Sequence, residues 1–334
     1  MSSRFLPLVA ALVLQAPMEP RLRAELTVEI VKVVDGDTLN VLLDGEVVPL
    51  RLLSVDTEEK LSGRPLTSPT KPQTVFGEET AQWAREFFAA LGEPARIGLA
   101  FPEGRRRDTY GRLLCQVLLP DGRDFNLLLV EQGKSPYFNK YGNSLVAHEA
   151  LVRAQAAARA AELGIWHPAT NRARTPGAPS AVRPYGELLP WWEARAQAID
   201  AFRARASREP DAVFTHEDAA GLQRAFELCR GDPGRRVTVF ATIERFFDEE
   251  GGSLTVLLRS GDEHTALRAA IPESQRAALE PWLRSTTAEF RQNYLYATGR
   301  MERNERGFLL TGAALPDWRL AEPEYPPRAS SSEK

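Results

Sequence analysis

Between Glu25 and Leu119 the chain is punctuated in a way that leaves few folds open. Glu25–Val34 and Thr38–Leu43 alternate apolar and polar residues and are rich in Val, Ile and Leu, the signature of half-buried strands. Asp44-Gly45 then supplies the positive φ that a tight hairpin needs, and a third strand is expected over Glu46–Val55. Ala84, Phe87, Phe88 and Leu91 fall at i, i+3, i+4 and i+7, which predicts an amphipathic helix over Glu78–Leu91, stopped by Gly92 and Pro94. Two more strands follow, Ala95–Phe101 and Leu113–Leu119, and then helices over Asp124–Glu131 and Leu145–Leu163. Three strands, a helix and two strands are the element order of a five-stranded barrel of the oligonucleotide/oligosaccharide-binding type, mainly β with helices.

The 334 residues exceed what one such barrel needs. Residues 168–190 hold five prolines among Gly, Ser and Arg and read as a linker. Helices are expected at Trp191–Ser207 and Glu217–Leu228. After them the first order repeats: strands Val237–Phe247, Leu254–Ser260 and His264–Ile271, a helical stretch Ser274–Phe290, and strands Tyr294–Glu302 and Gly307–Ala314. The expected division is a signal peptide at 1–18, a barrel domain at 19–168, linker and helices at 169–235, a second barrel of similar type at 236–318, and a polar tail at 319–334.

Arg4 followed by about ten apolar residues is too short to span a bilayer and reads as an export signal, placing the protein outside the cell or in the periplasm. If Met18 is the true start, that inference lapses and the protein is cytoplasmic. Net charge is −3, and residues 19–168 carry 18 Lys and Arg against 21 Asp and Glu. That excludes a broadly basic nucleic-acid-coating protein. Any steering of a polyanion falls to local features such as Arg105-Arg106-Arg107, which reads equally well as a solvated hairpin tip. Cys115 and Cys229, with four scattered histidines, match no zinc spacing.

Three segments carry chemistry: Val34-Asp35-Gly36-Asp37-Thr38, then Arg51 through Glu59, and Arg107-Asp108-Thr109-Tyr110-Gly111-Arg112. Asp37 and Asp56 each stand where a strand gives way to a loop, and two carboxylates with a backbone carbonyl suit a hard divalent cation such as calcium. Glu59, three residues past Asp56, is within reach of a water beside such an ion. Arg51 lies among apolar residues, where its charge demands an anionic partner. Arg51 and Arg112 together would form a two-pronged receptor for phosphate oxygens.

In these segments the chain resembles the staphylococcal nuclease, or thermonuclease, family, over roughly Glu25–Trp166 and including Phe76-Gly77-Glu78, Gln132-Gly133 and Gly164-Ile165-Trp166. The resemblance implies calcium held by Asp37, Asp56 and the Thr57 carbonyl, with Asp35 supporting the ion from behind. It also implies a scissile phosphate held by Arg51 and Arg112, Glu59 as general base, and Tyr110 and Tyr141 along the nucleotide pocket. The implied activity is a calcium-dependent nuclease of little sequence preference that cleaves DNA and/or RNA. Departures from the family pattern are Glu58 in place of a common proline, a longer proline-containing loop after Glu59, Thr109 in place of a lysine, and Asn139 where another tyrosine could stand. The rival expectation is a catalytically inactive nuclease-like binding or scaffold module. In the second barrel Phe240, Phe246, Phe247, Tyr294, Tyr296 and Phe308 either fill the core or stack on single-stranded nucleic acid.

Overall fold

The computed structural model describes residues 22–326 apart from 63–67, 69, 103–106, 109, 174, 176, 178–179 and 288–290. The apolar run within 1–18, Arg105-Arg106 and the end of the polar tail lie outside the described residues. Strands β1 (Leu26–Val33), β2 (Thr38–Leu43) and β3 (Glu46–Leu52) form an antiparallel meander. The short strands β4 (Glu59–Lys60) and β5 (Gln73–Thr74) pair with each other, and helix α1 (Val75–Ala89) follows. Strands β6 (Arg96–Ala100) and β7 (Leu113–Leu118) then close the barrel in the order β1-β2-β3-β7-β6, with β3 parallel to β7. Inside are Leu39, Val41, Leu50, Leu52, Leu99 and Cys115, all at most 2% exposed. Alternation along each strand sends the intervening residues, Arg51 among them, to the other face.

Helix α1 starts three residues before the expected Glu78, because the Thr74 hydroxyl caps it by accepting from the Gly77 amide at 2.9 Å. Helix α2 (Phe125–Glu131) is capped by Asp124, and α3 (His148–Ala160) packs against it. The expected linker ends earlier than its prolines suggest. Helix α4 (Tyr185–Arg208) begins before Pro190, and the carbonyl that the proline ring crowds belongs to Gly186, which has no side chain.

The second half adds β8 (Val213–Thr215), α5 (Ala219–Gly231), β9 (Val237–Ala241), β10 (Arg245–Asp248), β11 (Leu254–Arg259) and β12 (Leu267–Ile271). Helix α6 (Glu273–Ser285) and strands β13 (Leu295–Asn304), β14 (Gly307–Thr311) and β15 (Trp318–Leu320) complete it. The ladder runs β10-β11-β12-β14-β13-β9-β8, with β12 parallel to β14. The expected strand Val237–Phe247 is broken at Thr242–Glu244: β9 pairs with β13 and β10 with β11. Counting β9 and β10 as one bent strand gives the same cyclic order as the first barrel, closed through the covalent chain rather than by an unbroken ladder. Of the six rings weighed for base stacking, Phe240, Tyr294, Tyr296 and Phe308 are buried. Phe246 and Phe247 reach the surface, beneath Arg284 and Arg245 respectively. Most of that aromatic set is core, not platform. Among the described residues no helix is long and apolar enough to cross a membrane.

Candidate active site

The β2–β3 ladder sets Thr38 opposite Arg51, so Asp37, one residue earlier, sits beside the arginine that leaves β3 on the outer face. Arg51 reaches Asp37 Oδ2 at 2.6 Å with one amino group and Asp56 Oδ1 at 2.7 Å with the other. A single guanidinium therefore spans both carboxylates, which fixes them as near neighbours. The Thr57 amide donates to Asp37 Oδ2 at 2.7 Å, and the Asp56 amide donates to Ser135 Oγ at 2.8 Å. The segment after α2 holds the loop further through an amide bond from Phe138 to the Ser54 carbonyl. Two glycines permit these approaches. A Cβ on Gly36 would lie 2.7 Å from Thr57 Cγ2, and one on Gly77 would lie 2.2 Å from the Glu59 carbonyl oxygen.

Two further cations enter, neither singled out by sequence. Lys71 Nζ bridges Asp56 Oδ1 at 2.9 Å and Glu59 Oε1 at 2.6 Å. Arg183, from the stretch before α4, pairs with Asp56 Oδ2 and donates to the Asp56 carbonyl at 3.1 Å and the Thr70 carbonyl at 3.0 Å. Burial alone would raise the Asp56 carboxyl, but Lys71, Arg183 and Arg51 outweigh it and hold the group far below the usual carboxylate range. Asp35 behaves oppositely. Burial and the adjacent Asp37 charge push it up to about 7, against the pull of the Asp37 amide that donates to it.

Asp35, Asp37, Arg51, Asp56, Thr57 and Glu59 are thus brought into one network. Arg112 is paired within its own segment: its Nε lies 2.7 Å from Asp108 Oδ2, and its guanidinium carbon is 5.6 Å from the centre of the Tyr110 ring. Tyr110 and Tyr141 are both exposed, at 83% and 61%, and Tyr141 is close enough to Asp56 and Arg51 for their charges to act on it. Glu58, in the place of the family's common proline, is taken up by neutral donors. It is 3% exposed and accepts from Thr74 Oγ1 at 2.6 Å, Tyr185 Oη at 3.2 Å and Asn171 Nδ2, so it ties the cap of α1 to the start of α4.

Asp37 and Asp56 offer hard carboxylate oxygens, which is the donor chemistry calcium takes, although Arg51, Lys71 and Arg183 lie against them. Among the described residues no three acidic, His or Cys side chains form a ready-made metal set, so the protein side would rest on two carboxylates and backbone oxygen. The Lys71 ammonium, seated between Asp56 and Glu59, is a stand-in cation that shows the position attracts positive charge.

A closed barrel whose outer face presents this acid–guanidinium network defines a nuclease-homologue architecture, and comparison with known proteins agrees. Residues 49–168 match the staphylococcal nuclease homologue family. A protein of Escherichia coli O157:H7 named an uncharacterized endonuclease is 27% identical over 147 residues, 44% of this chain and 81% of its own length. Protein ParB of Escherichia coli is 30% identical over 151 residues, 43% of this chain and 73% of that protein. The SPbeta prophage-derived endonuclease YokF of Bacillus subtilis (strain 168) is 29% identical over 135 residues, covering 40% and 42% of the two chains. Through its N-terminal half, the chain belongs to the staphylococcal nuclease family.

Proposed function

We propose that the protein is a nuclease that hydrolyses phosphodiester bonds of DNA and/or RNA, with calcium at Asp37, Asp56 and the Thr57 carbonyl. The observation that carries this is Arg51 spanning both carboxylates, because it gathers acid and phosphate-binding groups at one point. Calcium, when bound, would supply Lewis-acid polarisation of a phosphate oxygen. Glu59 would accept a proton from the attacking water, and Arg51 would meet charge that grows on the phosphate oxygens toward the transition state. Arg112, exchanging its contact with Asp108 for a phosphate oxygen, would be the second guanidinium. Tyr110 and Tyr141 would flank the nucleotide, and Asp35 would support Asp37. The sequence carries no motif for reading base edges, which favours cleavage with little sequence preference. The apolar start of the chain favours action outside the cytoplasm. The inactive-scaffold alternative is disfavoured because Asp37, Asp56, Glu59, Arg51 and Arg112 are all present.

The test is digestion of plasmid DNA and of a structured RNA, with calcium and with a chelator. Cleavage only with calcium is expected. Arg51→Lys should lower turnover by about 10²–10³, because an ammonium cannot span both partners. Near-normal turnover by Arg51→Lys, or cleavage unaffected by the chelator, would overturn the assignment.

A further inference from the structure

We propose that Lys71 is a tethered counter-ion of the nuclease site, which a divalent cation must displace and whose displacement releases Glu59. The inference rests on the calcium-assisted reading above and goes beyond it in naming what guards the position. Each carboxylate oxygen offers two lone-pair directions. At Asp56 Oδ1 both are used, by Arg51 at 2.7 Å and Lys71 at 2.9 Å, while Arg183 takes Oδ2. At Asp37 Oδ2 the Thr57 amide takes one direction, and the Arg51 guanidinium lies 2.6 Å away as an ion pair. An incoming cation that takes Asp56 through Oδ1, the oxygen on the Arg51 and Glu59 side, must therefore evict a nitrogen donor.

The three donors are not equally able to leave. Arg183 is 4% exposed, bound to two backbone carbonyls, and set between the rings of Tyr185 and Trp192 at 5.5 and 5.3 Å. Arg51 is 12% exposed and bridges two acids. The Lys71 side chain is 30% exposed and ends in a point charge on a flexible four-carbon arm. Its backbone need not move, because Arg183 pins the neighbouring Thr70 carbonyl. The arm can swing while Thr70 stays held.

The same ammonium also occupies Glu59 Oε1, at 2.6 Å. While it sits there, the ion pair takes one acceptor direction of that oxygen and offsets the carboxylate charge that would draw a proton from a water. Cation entry at Asp56 thereby also lifts the ion pair that damps the candidate base. Lys71, two residues before β5, is thus placed to deliver the ammonium.

The experiment titrates calcium chloride into the metal-free full-length protein by calorimetry, without nucleic acid, for the wild type, Lys71→Met and Lys71→Arg. If the ammonium holds the position in about nine molecules of ten, Lys71→Met should bind calcium about tenfold more tightly. Lys71→Arg, which keeps a charge there, should not tighten binding. In parallel, reductive methylation of the wild type followed by peptide mass spectrometry should show Lys71 modified at least about threefold faster with calcium present than with chelator, as an ammonium freed from its ion pairs would be. Equal or weaker calcium affinity in Lys71→Met, or a methylation rate indifferent to calcium, overturns the proposal. If the wild type binds calcium and cleaves with it while Lys71→Met is unchanged in affinity, this inference alone falls. If neither protein binds calcium and cleavage survives a chelator, the calcium reading falls and takes this one with it.

Discussion

Replacing Arg183 by Met tests whether the nuclease site extends past the nuclease domain. The guanidinium is buried against the Asp56 carboxylate, satisfies two backbone carbonyls and stacks between Tyr185 and Trp192. Methionine refills part of the volume of the arginine stem but supplies none of the donors. Breaking a buried ion pair by removing one partner costs about 3–5 kcal/mol. Two carbonyls left without a partner cost about 1–3 kcal/mol each when water cannot reach them. These costs overlap, and Asp56 keeps Arg51 and Lys71, so the lower end, about 3 kcal/mol, is expected for the whole substitution. Urea unfolding followed by tryptophan fluorescence suits the question, since Trp192 lies against both Arg183 and Phe138. With a slope of about 1–3 kcal/mol per molar, the midpoint should fall by about 1 M or more. A midpoint within about 0.3 M of the wild type would mean that Arg183 does not hold Asp56 in solution. The composite construction of the site would then be wrong.

Other expectations concern the packing around the site and within the barrel. Gly77→Ala, whose Cβ would meet the Glu59 carbonyl at 2.2 Å, should destabilise by about 2 kcal/mol or more in the same urea assay and lower cleavage by displacing Glu59. Asp124 is pushed up to about 6 by burial against two helix-cap amide bonds, so between pH 4 and 6 the folded chain binds more protons than the unfolded one, and stability falls as pH rises. Gln116, with its amide nitrogen turned toward Asp124, donates at 2.7 and 3.1 Å and softens that penalty, leaving a loss of about 1–2 kcal/mol. Asp124→Asn should remove this part of the slope in urea titrations at several pH values while keeping the cap; an unaltered slope would refute the assignment. Cys115 and Cys229 are free and buried, and burial pushes the Cys115 thiol up to about 12. A maleimide should label neither in the native protein and both in denaturant, and fast native labelling of Cys115 would contradict the packing.

What could be seen in the sequence, and what could not, divides along chain separation. Thr38–Leu43 and the other barrel strands stood out because alternation and turn residues are local signals, and Asp37 meets Arg51 because a hairpin register brings them together. In the second half, Val237–Phe247 reads as one strand in the sequence, but its break at Thr242–Glu244 follows from two different partners, which no local pattern encodes. Ser135 and Arg183 reach Asp56 from 79 and 127 residues away. Arg183 sat inside a proline-rich stretch that composition assigns to a linker. Its one available hint was an arginine followed by Pro184-Tyr185 just before two tryptophans, a cation placed among rings that could shelter it. Glu58 misled for the opposite reason. Three acidic-loop carboxylates look alike in sequence, yet Glu58 turns inward to the α1 cap while Asp56 and Glu59 meet the cations.

Helix α4 has a mechanical consequence. Trp192 packs edge-on to Phe138 in the first half, at 4.8 Å between ring centres, and Arg195, one turn on, donates both to the Lys140 carbonyl and to Gln292 in the second. The helix therefore serves as a shared beam and not as a hinge. Heating should melt both barrels together in a single calorimetric peak, and tension applied to the far barrel would be felt at Asp56.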